Sequence, residues 1–486
     1  MKEIKIIDTT LRDGHQSLWA TRMTTPMMLP VLDKINDTGY ESVELMAMAH
    51  FDSCVRYLRE DPWERIRIVN EKITNAPTIA WMRSKNLIGF DMFPDDLVNL
   101  MVDKFVENGI GKVAVFDGLL DINNMVGSLN HAKKLGAKTV GALVFSESPI
   151  HTDKLYVQKT KELIEKTNVD SVMLKDAGGV LTPERVKTLV PAMKKILRDI
   201  PLEIHSHCLT GLAPLVYLEA VKAGVEVIHT AVSPLSNASS QPTTQTMVKN
   251  LRDMGYQVNV NDQLIEEVSS HFTEVAEIEG FPIGRANEYD ASHYKHQIPG
   301  GMLSNMVSQL EAAGIGNRYE EVLEEISRIR EDLAWPIMVT PFSQLVGTQA
   351  VFNVINGERY KVVTDELKKY VLGHYGELIA PIDDNIIDKI VESGSKYIPL
   401  KKKEEGIVPD LRRRFPNMSD EEIILRYLIK GNHVDEMKKA GSLGMDNYSI
   451  GSNPTLTLLK KLMERKDIGY INISNGKTKI MLGANK

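Results

Sequence analysis

Residues 171–207 read SVMLKDAGGVLTPERVKTLVPAMKKILRDIPLEIHSH. An apolar, β-branched run (SVMLK) leads through a glycine pair into a helical pattern. That pattern ends at a second apolar run, LEIHSH. The same strand, loop, helix, loop rhythm extends in both directions. Strands are predicted at residues 4–9, 42–45, 78–82, 112–116, 140–145, 171–175, 202–207 and 227–232. Strands alternating with helices pair in parallel through right-handed crossovers. An open doubly wound sheet could be read from the same text. Eight units favour closure into a (β/α)8 barrel, which takes about 250 residues.

From about residue 290 the pattern becomes mostly helical, with helices expected over 319–333 and 364–372. Prolines 336, 341 and 381 punctuate it. The expected organisation is therefore an α/β TIM barrel over residues 1–289, a mostly helical domain over 290–465, and a tail over 466–486. The tail reads as a hairpin around Asn475–Gly476. The run 401–405 (KKKEE) reads as a solvated charged surface.

Composition narrows the function. The 486 residues are 43% hydrophobic and 25% charged, the range of an ordinary globular chain with a large core. A net charge of −7 disfavours a nucleic-acid-coating surface, which needs a basic face. Two cysteines, Cys54 and Cys208, with no CxxC, leave no disulfide framework or Cys-rich zinc site and fit a reducing compartment. No signal-peptide pattern and no 18-residue apolar run occur, so a cytoplasmic protein with no membrane span is expected. Neither a GxGxxG nor a Walker pattern is present, which disfavours nucleotide chemistry.

A βα barrel carries its active site at the C-terminal ends of its strands. Polar residues at those ends are Asp8, Arg12, Asp13, His15 and Gln16 after strand one, Arg83 after strand three and Asp117 after strand four. Lys175 and Asp176 follow strand six, His205 and His207 strand seven, and His229 lies on strand eight. His205 and His207 are two apart, so both side chains leave the strand on one face and can reach one cation. Two imidazoles need oxygen ligands to complete a divalent site, and Asp13 is the first candidate. Its alternatives are a salt bridge to Arg12 and a helix cap. Lys175 has three readings. Carbon dioxide can add to its neutral amine, giving an anionic carbamate that binds metal. It can form a Schiff base. It can pair with Asp13 or Asp176. Spacing alone does not choose among them. Cys208 faces away from the histidines and reads as packing, and His50 and His229 read as structural histidines.

Six motifs in order carry a family resemblance: DTTLRDGHQSLWATRM (8–23), REDPWERIR (59–67), VMLKDAGG (172–179), HSH (205–207), IPGGMLSNM (298–306) and VTPFSQLVGTQAVFNV (339–354). Together they resemble the biotin-dependent carboxyltransferases: the transcarboxylase carboxyltransferase subunit, the oxaloacetate decarboxylase alpha subunit and the pyruvate carboxylase carboxyltransferase domain. The resemblance implies that Asp13, His205, His207 and a carbamylated Lys175 hold zinc, manganese or cobalt. It implies that Arg12, Gln16 and Arg83 bind a 2-oxo acid. Thr340 would shuttle a proton to and from biotin, displacing its simpler reading as a helix cap before Pro341. The helical domain would form a funnel over the barrel mouth.

Family chains that carry biotin do so on the lysine of a Met-Lys-Met motif. Here Met-Lys occurs at residues 1–2, 193–194 and 437–438 and is never followed by Met, so no biotinyl domain is expected. The implied partners are a separate biotin carrier protein, a biotin carboxylase where the system has one, and further copies of the chain, a homodimer or larger. The pocket rim departs from the family pattern at 46–50 (MAMAH), at Ala114, at 175–178 (KDAG) and at Phe90, which stands where relatives have a tyrosine. Those changes leave the acceptor acid open. They keep a second reading alive, a metal-dependent aldolase or lyase of the same barrel group acting without biotin.

Overall fold

In a computed structural model, residues 2–299, 306, 310–311, 314, 316–393, 397–399, 406–443, 462, 470–474 and 479–483 are described. Eight parallel strands close into a barrel: β1 Lys5–Asp8, β2 Ser42–Ala47, β3 Thr78–Met82, β4 Lys112–Phe116, β5 Lys138–Val144, β6 Ser171–Asp176, β7 Leu202–Ser206 and β8 Val227–Thr230. β8 pairs back onto β1, with Ile7 opposite His229. The expected barrel is therefore present, with strand ends shifted by one or two residues. Thr9 has already left the sheet to enter a wide turn, and β5 starts at Lys138, earlier than the apolar run suggests.

The helices after the strands are α1 Leu32–Asp37, α2 Pro62–Lys72, α3 Asp95–Glu107, α4 Ile122–Lys134, α5 Asp153–Thr167, α6 Pro183–Leu197, α7 Ala213–Ala223 and α8 Thr244–Asp253. α9, Asp262–Glu279, packs beside α1. Their starts follow capping chemistry. Asp61, Asp121, Thr152 and Thr182 each accept a backbone N–H of the first turn. The barrel strands are buried on both faces because the helices cover the outside and side chains fill the inside.

Later helices are α10 Tyr319–Asp332, α11 Phe342–Asn356, α12 Asp365–Val371, α13 Asp384–Glu392, α14 Val408–Arg414, α15 Asp420–Leu428 and α16 His433–Ala440. They divide between two cores. Val322, Ile326, Phe342, Leu345, Leu367, Tyr370 and Ile390 form a second apolar cluster that meets the barrel at Leu119 of the β4 loop and at Phe90 and Met92 of the β3 loop. Val408, Ile424, Leu425, Leu428, Val434 and Met437 instead join the barrel's own core. The last helices therefore return to the outer wall of the barrel near α3. There Asp96 accepts the Val408 N–H at 2.7 Å and Arg67 pairs with Glu421.

β9 (Tyr470–Ser474) and β10 (Lys479–Gly483) pair antiparallel, and their expected turn at Asn475–Gly476 lies outside the described residues. The KKKEE run and most of the 298–306 motif lie outside them as well. Among the described residues no helix is long and apolar enough to cross a membrane.

Candidate metal and substrate site

The loop after β1 winds residues Thr10–Gly14 into a single wide turn at the barrel mouth. Two buried histidines hold it in place. His15 Nε2 lies 3.0 Å from the Leu11 carbonyl and His50 Nε2 3.0 Å from the Arg12 carbonyl, with the two rings edge to face at 4.7 Å. A carbonyl only accepts, so both Nε2 atoms carry protons. Burial pushes the His50 imidazolium down to about 3, which keeps the ring neutral. His50 thus has the structural place expected for it, and it braces the turn that presents Arg12 and Asp13.

Asp13 Oδ2 lies 2.8 Å from His205 Nε2 and 3.3 Å from His207 Nε2, and the two Nε2 atoms are 3.3 Å apart. The structure therefore brings the three expected ligands together, all buried. His207 Nδ1 donates to the Ser239 carbonyl at 2.7 Å, which in the neutral ring leaves the Nε2 lone pair free for a metal. Gln241 offers its NH2 to Asp13 Oδ2 (3.0 Å) and to both imidazoles (3.3 and 3.2 Å), while its Oε1 accepts the hydroxyls of Thr9 and Ser240. One amide has two hydrogens for three acceptors, which leaves room for a positive charge. Ligands about 2.1 Å from a common cation stand roughly 3.0–3.4 Å apart, close to the spacing seen. The residues present fit a divalent metal. Burial alone would raise the Asp13 carboxyl, but Arg12 and the two histidines hold it well below the usual carboxylate range.

A second grouping, Glu44 with His205 and His229, also lies within ligand distance. It does not fit a metal, because both His229 nitrogens already face carboxylates, Glu44 at 3.0 Å and Glu203 at 3.0 Å. Burial opposes charge on that ring, yet the bonds to Glu203 and Glu44 raise its pKa above the ordinary histidine value.

Lys175 sits opposite His205 in the β6–β7 register. Among the described residues its ammonium has no hydrogen bond or ion pair. It lies 4.6 Å from the centre of the Trp81 ring. Burial pushes it down to about 8. Pairing with Asp176, one of the three readings of Lys175, is not made among the described residues. Asp176 turns to the loop and accepts Val180 N–H, Leu181 N–H and the Ser206 hydroxyl. Asp13 does make the alternative contact, a bridge to Arg12 at 3.1 Å, alongside its histidine contacts.

The remaining candidates surround this centre unevenly. Arg12 sends Nε to Glu44 at 2.7 Å and lies over Trp81. Gln16 Oε1 is buried with no partner among the described residues. Arg83 donates to the Leu87 carbonyl at 2.9 Å, and burial pushes its guanidinium down to about 10. Asp117 is no ligand: it accepts Ser84, Asn124 and the N–H groups of Leu119 and Asp121, fixing the β4 loop. Phe90 is half-buried against the second apolar cluster. Cys208 is buried, as its packing role requires. Thr340 does not cap α11: the cap position is Pro341, and no side chain fills it. Its neighbours Val339 and Phe342 close on Gly118 of the β4 loop, where an added Cβ would meet Phe342 at 2.7 Å. Thr340 thus stands at the seam between the two cores, with its hydroxyl unpartnered among the described residues.

Sequence reasoning missed Gln241, Glu44, Glu203 and Lys112. Glu44 had a signal, a lone charge inside the apolar strand SVELMA. Gln241 had none, because only the β8 loop's path brings it to Asp13, His205 and His207.

Known proteins bear on the same residues. Residues 294–450 match the conserved carboxylase domain, and residues 121–271 match the HMGL-like family. A pyruvate carboxylase subunit from Methanocaldococcus jannaschii is 43% identical over 399 residues, spanning 82% of the chain and 70% of that protein. The chain belongs to the biotin-dependent carboxyltransferase family. Within that family it is also 36% identical over 413 residues to the methylmalonyl-CoA carboxyltransferase 5S subunit of Propionibacterium freudenreichii, spanning 84% of the chain and 80% of that subunit. The fold agrees. The carboxyl transferase domain of Rhizobium etli pyruvate carboxylase, solved with pyruvate, superposes with a TM-score of 0.82 at 25% identity. That match covers 90% of this chain and 77% of that one.

Proposed function

We propose that the protein is a carboxyltransferase subunit that moves a carboxyl group between biotin on a separate carrier protein and a 2-oxo acid, pyruvate or oxaloacetate or a close relative. The observation that carries this reading is the buried Asp13–His205–His207 set beside an easily neutralised Lys175 that has no ion pair among the described residues. Membership of a biotin-dependent family supports it.

Asp13, His205, His207 and a carbamate on Lys175 would hold zinc, manganese or cobalt. When bound, the metal supplies Lewis-acid stabilisation of negative charge on the oxo group. The chain's own side chains do the rest. Arg12 and Arg83 bring fixed positive charge to the acid's carboxylate and to the oxygen that becomes enolic, in a site shielded from water. Gln16 supplies a neutral partner. Thr340 Oγ1 takes a proton from the substrate methyl and gives one to the biotin ureido nitrogen, a relay open to a hydroxyl because it both donates and accepts. The N–carboxyl bond of carboxybiotin breaks to release carbon dioxide, the ureido nitrogen so freed takes that proton, and the deprotonated methyl carbon takes up the carbon dioxide to make the new C–C bond. The helical segment that carries Thr340 would form the entrance for the carrier's biotin.

The Met-Lys pairs of the described residues support a separate carrier. Met193–Lys194 lies within α6 and Met437–Lys438 within α16, neither in an exposed turn between strands. A cytoplasmic location, a biotin carboxylase partner and self-association as at least a dimer complete the proposal.

Oxaloacetate decarboxylation by the purified protein, with and without free biotin, is the test. Biotin-stimulated pyruvate formation that disappears in Thr340→Ala and in Lys175→Ala is the expected result. Aldol cleavage without biotin, or a borohydride-trapped Lys175 adduct, would refute the carboxyltransferase reading in favour of lyase chemistry.

A further inference from the structure

The metal and substrate groups use only the top of a longer ionic chain through the barrel. Arg12 at the mouth holds Glu44 on β2 through Nε at 2.7 Å and through Nη2. Glu44 Oε1 lies 3.0 Å from His229 Nδ1 on β8, and His229 Nε2 lies 3.0 Å from Glu203 Oε2 on β7. Glu203 Oε1 meets Lys112 Nζ at 3.3 Å and accepts the Ser171 hydroxyl at 2.6 Å. Lys112 and Ser171 are the first residues of β4 and β6, so the chain ends on the barrel floor. None of these residues is more than 5% exposed.

The chemistry of the links fixes the charges. Carboxylates only accept, so each ring nitrogen of His229, facing a carboxylate, must donate. The ring is an imidazolium, and the signs alternate from Arg12 to Lys112. A buried charge is tolerated only while paired, so removing the central cation would set Glu44 against Glu203 across a gap. The consequence falls on Arg12. Its guanidinium has five N–H donors. Nε and Nη2 go to Glu44, and Nη1 lies 3.1 Å from Asp13. Two donors therefore remain, and their direction is set by how firmly Glu44 is held.

We propose that His229 is a positioning residue for the acid-binding site. Braced by Glu203 and Lys112, its imidazolium fixes Glu44, and Glu44 fixes the plane of Arg12 so that its two remaining N–H groups meet the carboxylate of the 2-oxo acid. This inference rests on the reading of Arg12 as an acid ligand. It gives the buried half of the chain, where the His229 ring meets His205 edge to face at 5.4 Å, a role in affinity for the acid rather than for metal.

Calorimetric titration of metal-loaded protein with pyruvate tests it, with bound metal measured in parallel. Wild type should bind pyruvate and Arg12→Lys should bind it weakly. His229→Gln should lose roughly tenfold in affinity with metal content unchanged, because a misaimed bidentate contact forfeits about one charged hydrogen bond. His229→Lys, which returns a cation between the two carboxylates, should recover most of that loss. A folded His229→Gln protein with wild-type affinity overturns the inference, and so does one that has lost its metal. Should His229→Gln not fold, Glu203→Gln takes its place. It keeps the His229–Glu44 contact and should still weaken binding about threefold, and unchanged affinity there also overturns the inference. If wild type binds neither pyruvate nor oxaloacetate, the functional reading itself fails and the inference falls with it. Weak binding by Arg12→Lys beside unaffected His229 variants removes the positioning role alone.

Discussion

Metal loading of this protein should depend on dissolved carbon dioxide, and Lys175 is the reason. Only a neutral amine adds carbon dioxide. An ordinary lysine, with a pKa near 10.5, is neutral in about one molecule in three thousand at pH 7. Lys175 is buried, has no ion-pair partner among the described residues and is pushed down to about 8. At pH 7 about one molecule in ten then carries the neutral amine, a gain of about 300-fold in the reactive form. On the proposed site, the resulting carbamate adds an anionic oxygen to Asp13, His205 and His207. Loss of a mere supporting partner costs 10–100-fold in metal affinity, so loss of this ligand should cost at least about 100-fold. The assay strips the protein with a chelator and reloads it with cobalt or zinc in carbon-dioxide-depleted buffer, with and without added bicarbonate. Affinity should rise with bicarbonate in wild type and not in Lys175→Ala. Carbon-13 bicarbonate should give a carbamate signal that is absent from the variant. The pH dependence has a definite sign. The neutral amine becomes about tenfold more abundant from pH 6 to 7 and levels off above about 8, so loading should rise and then flatten there. Equal affinity with and without bicarbonate, or a rise that continues past pH 10, would refute the reasoning.

Two further outcomes follow from single residues. Asp8 is fully buried with Oδ2 unpartnered among the described residues, and burial raises its carboxyl to about 7 from an ordinary 3.8. A raised value in the folded state means the folded protein keeps a proton that the unfolded chain has released, so this carboxyl's contribution is full below about pH 4 and is lost as pH rises through about 7. Asp8→Asn keeps an acceptor for Thr10 and cannot ionise. It should stabilise the protein by up to about 4 kcal/mol at pH 8 and by almost nothing at pH 4. Thermal unfolding at the two pH values checks this, and equal shifts at both would exclude it. Gly118→Ala places a Cβ 2.7 Å from the Phe342 ring and 3.2 Å from Val339. The strain should cost about 1–3 kcal/mol and displace the segment that carries Thr340. Decarboxylation of oxaloacetate should fall about tenfold or more while bound metal, measured by elemental analysis, stays constant. An unchanged rate would show that Gly118 does not set the position of Thr340.

Fold and site differ in how far the amino-acid order specifies them. The barrel is legible because its signal is local and repeated. Each strand is a short apolar run, each helix a 3.6-residue pattern, and eight repetitions leave little choice of closure. The histidine pair is legible for the same reason, since a two-residue spacing on a strand fixes both side chains to one face. Lys175 and Asp13 stand out because strand ends are where a barrel does its chemistry. The sequence could not say what surrounds them. Asp176, adjacent to Lys175, turns away to serve the loop, while Gln241, 66 positions from Lys175 in the chain, reaches the same ligands. Glu203 and His229 come from the last two strands and Glu44 from the second, and only barrel closure sets them in one line. Thr340 lies beyond the barrel altogether and is brought to its mouth by two apolar neighbours packing on one glycine. Periodic, short-range patterns thus determined the barrel and the shared face of the histidine pair by themselves. The charge states, the partners and the meeting of the two cores depend on contacts between distant segments, and these exist only once the chain has closed.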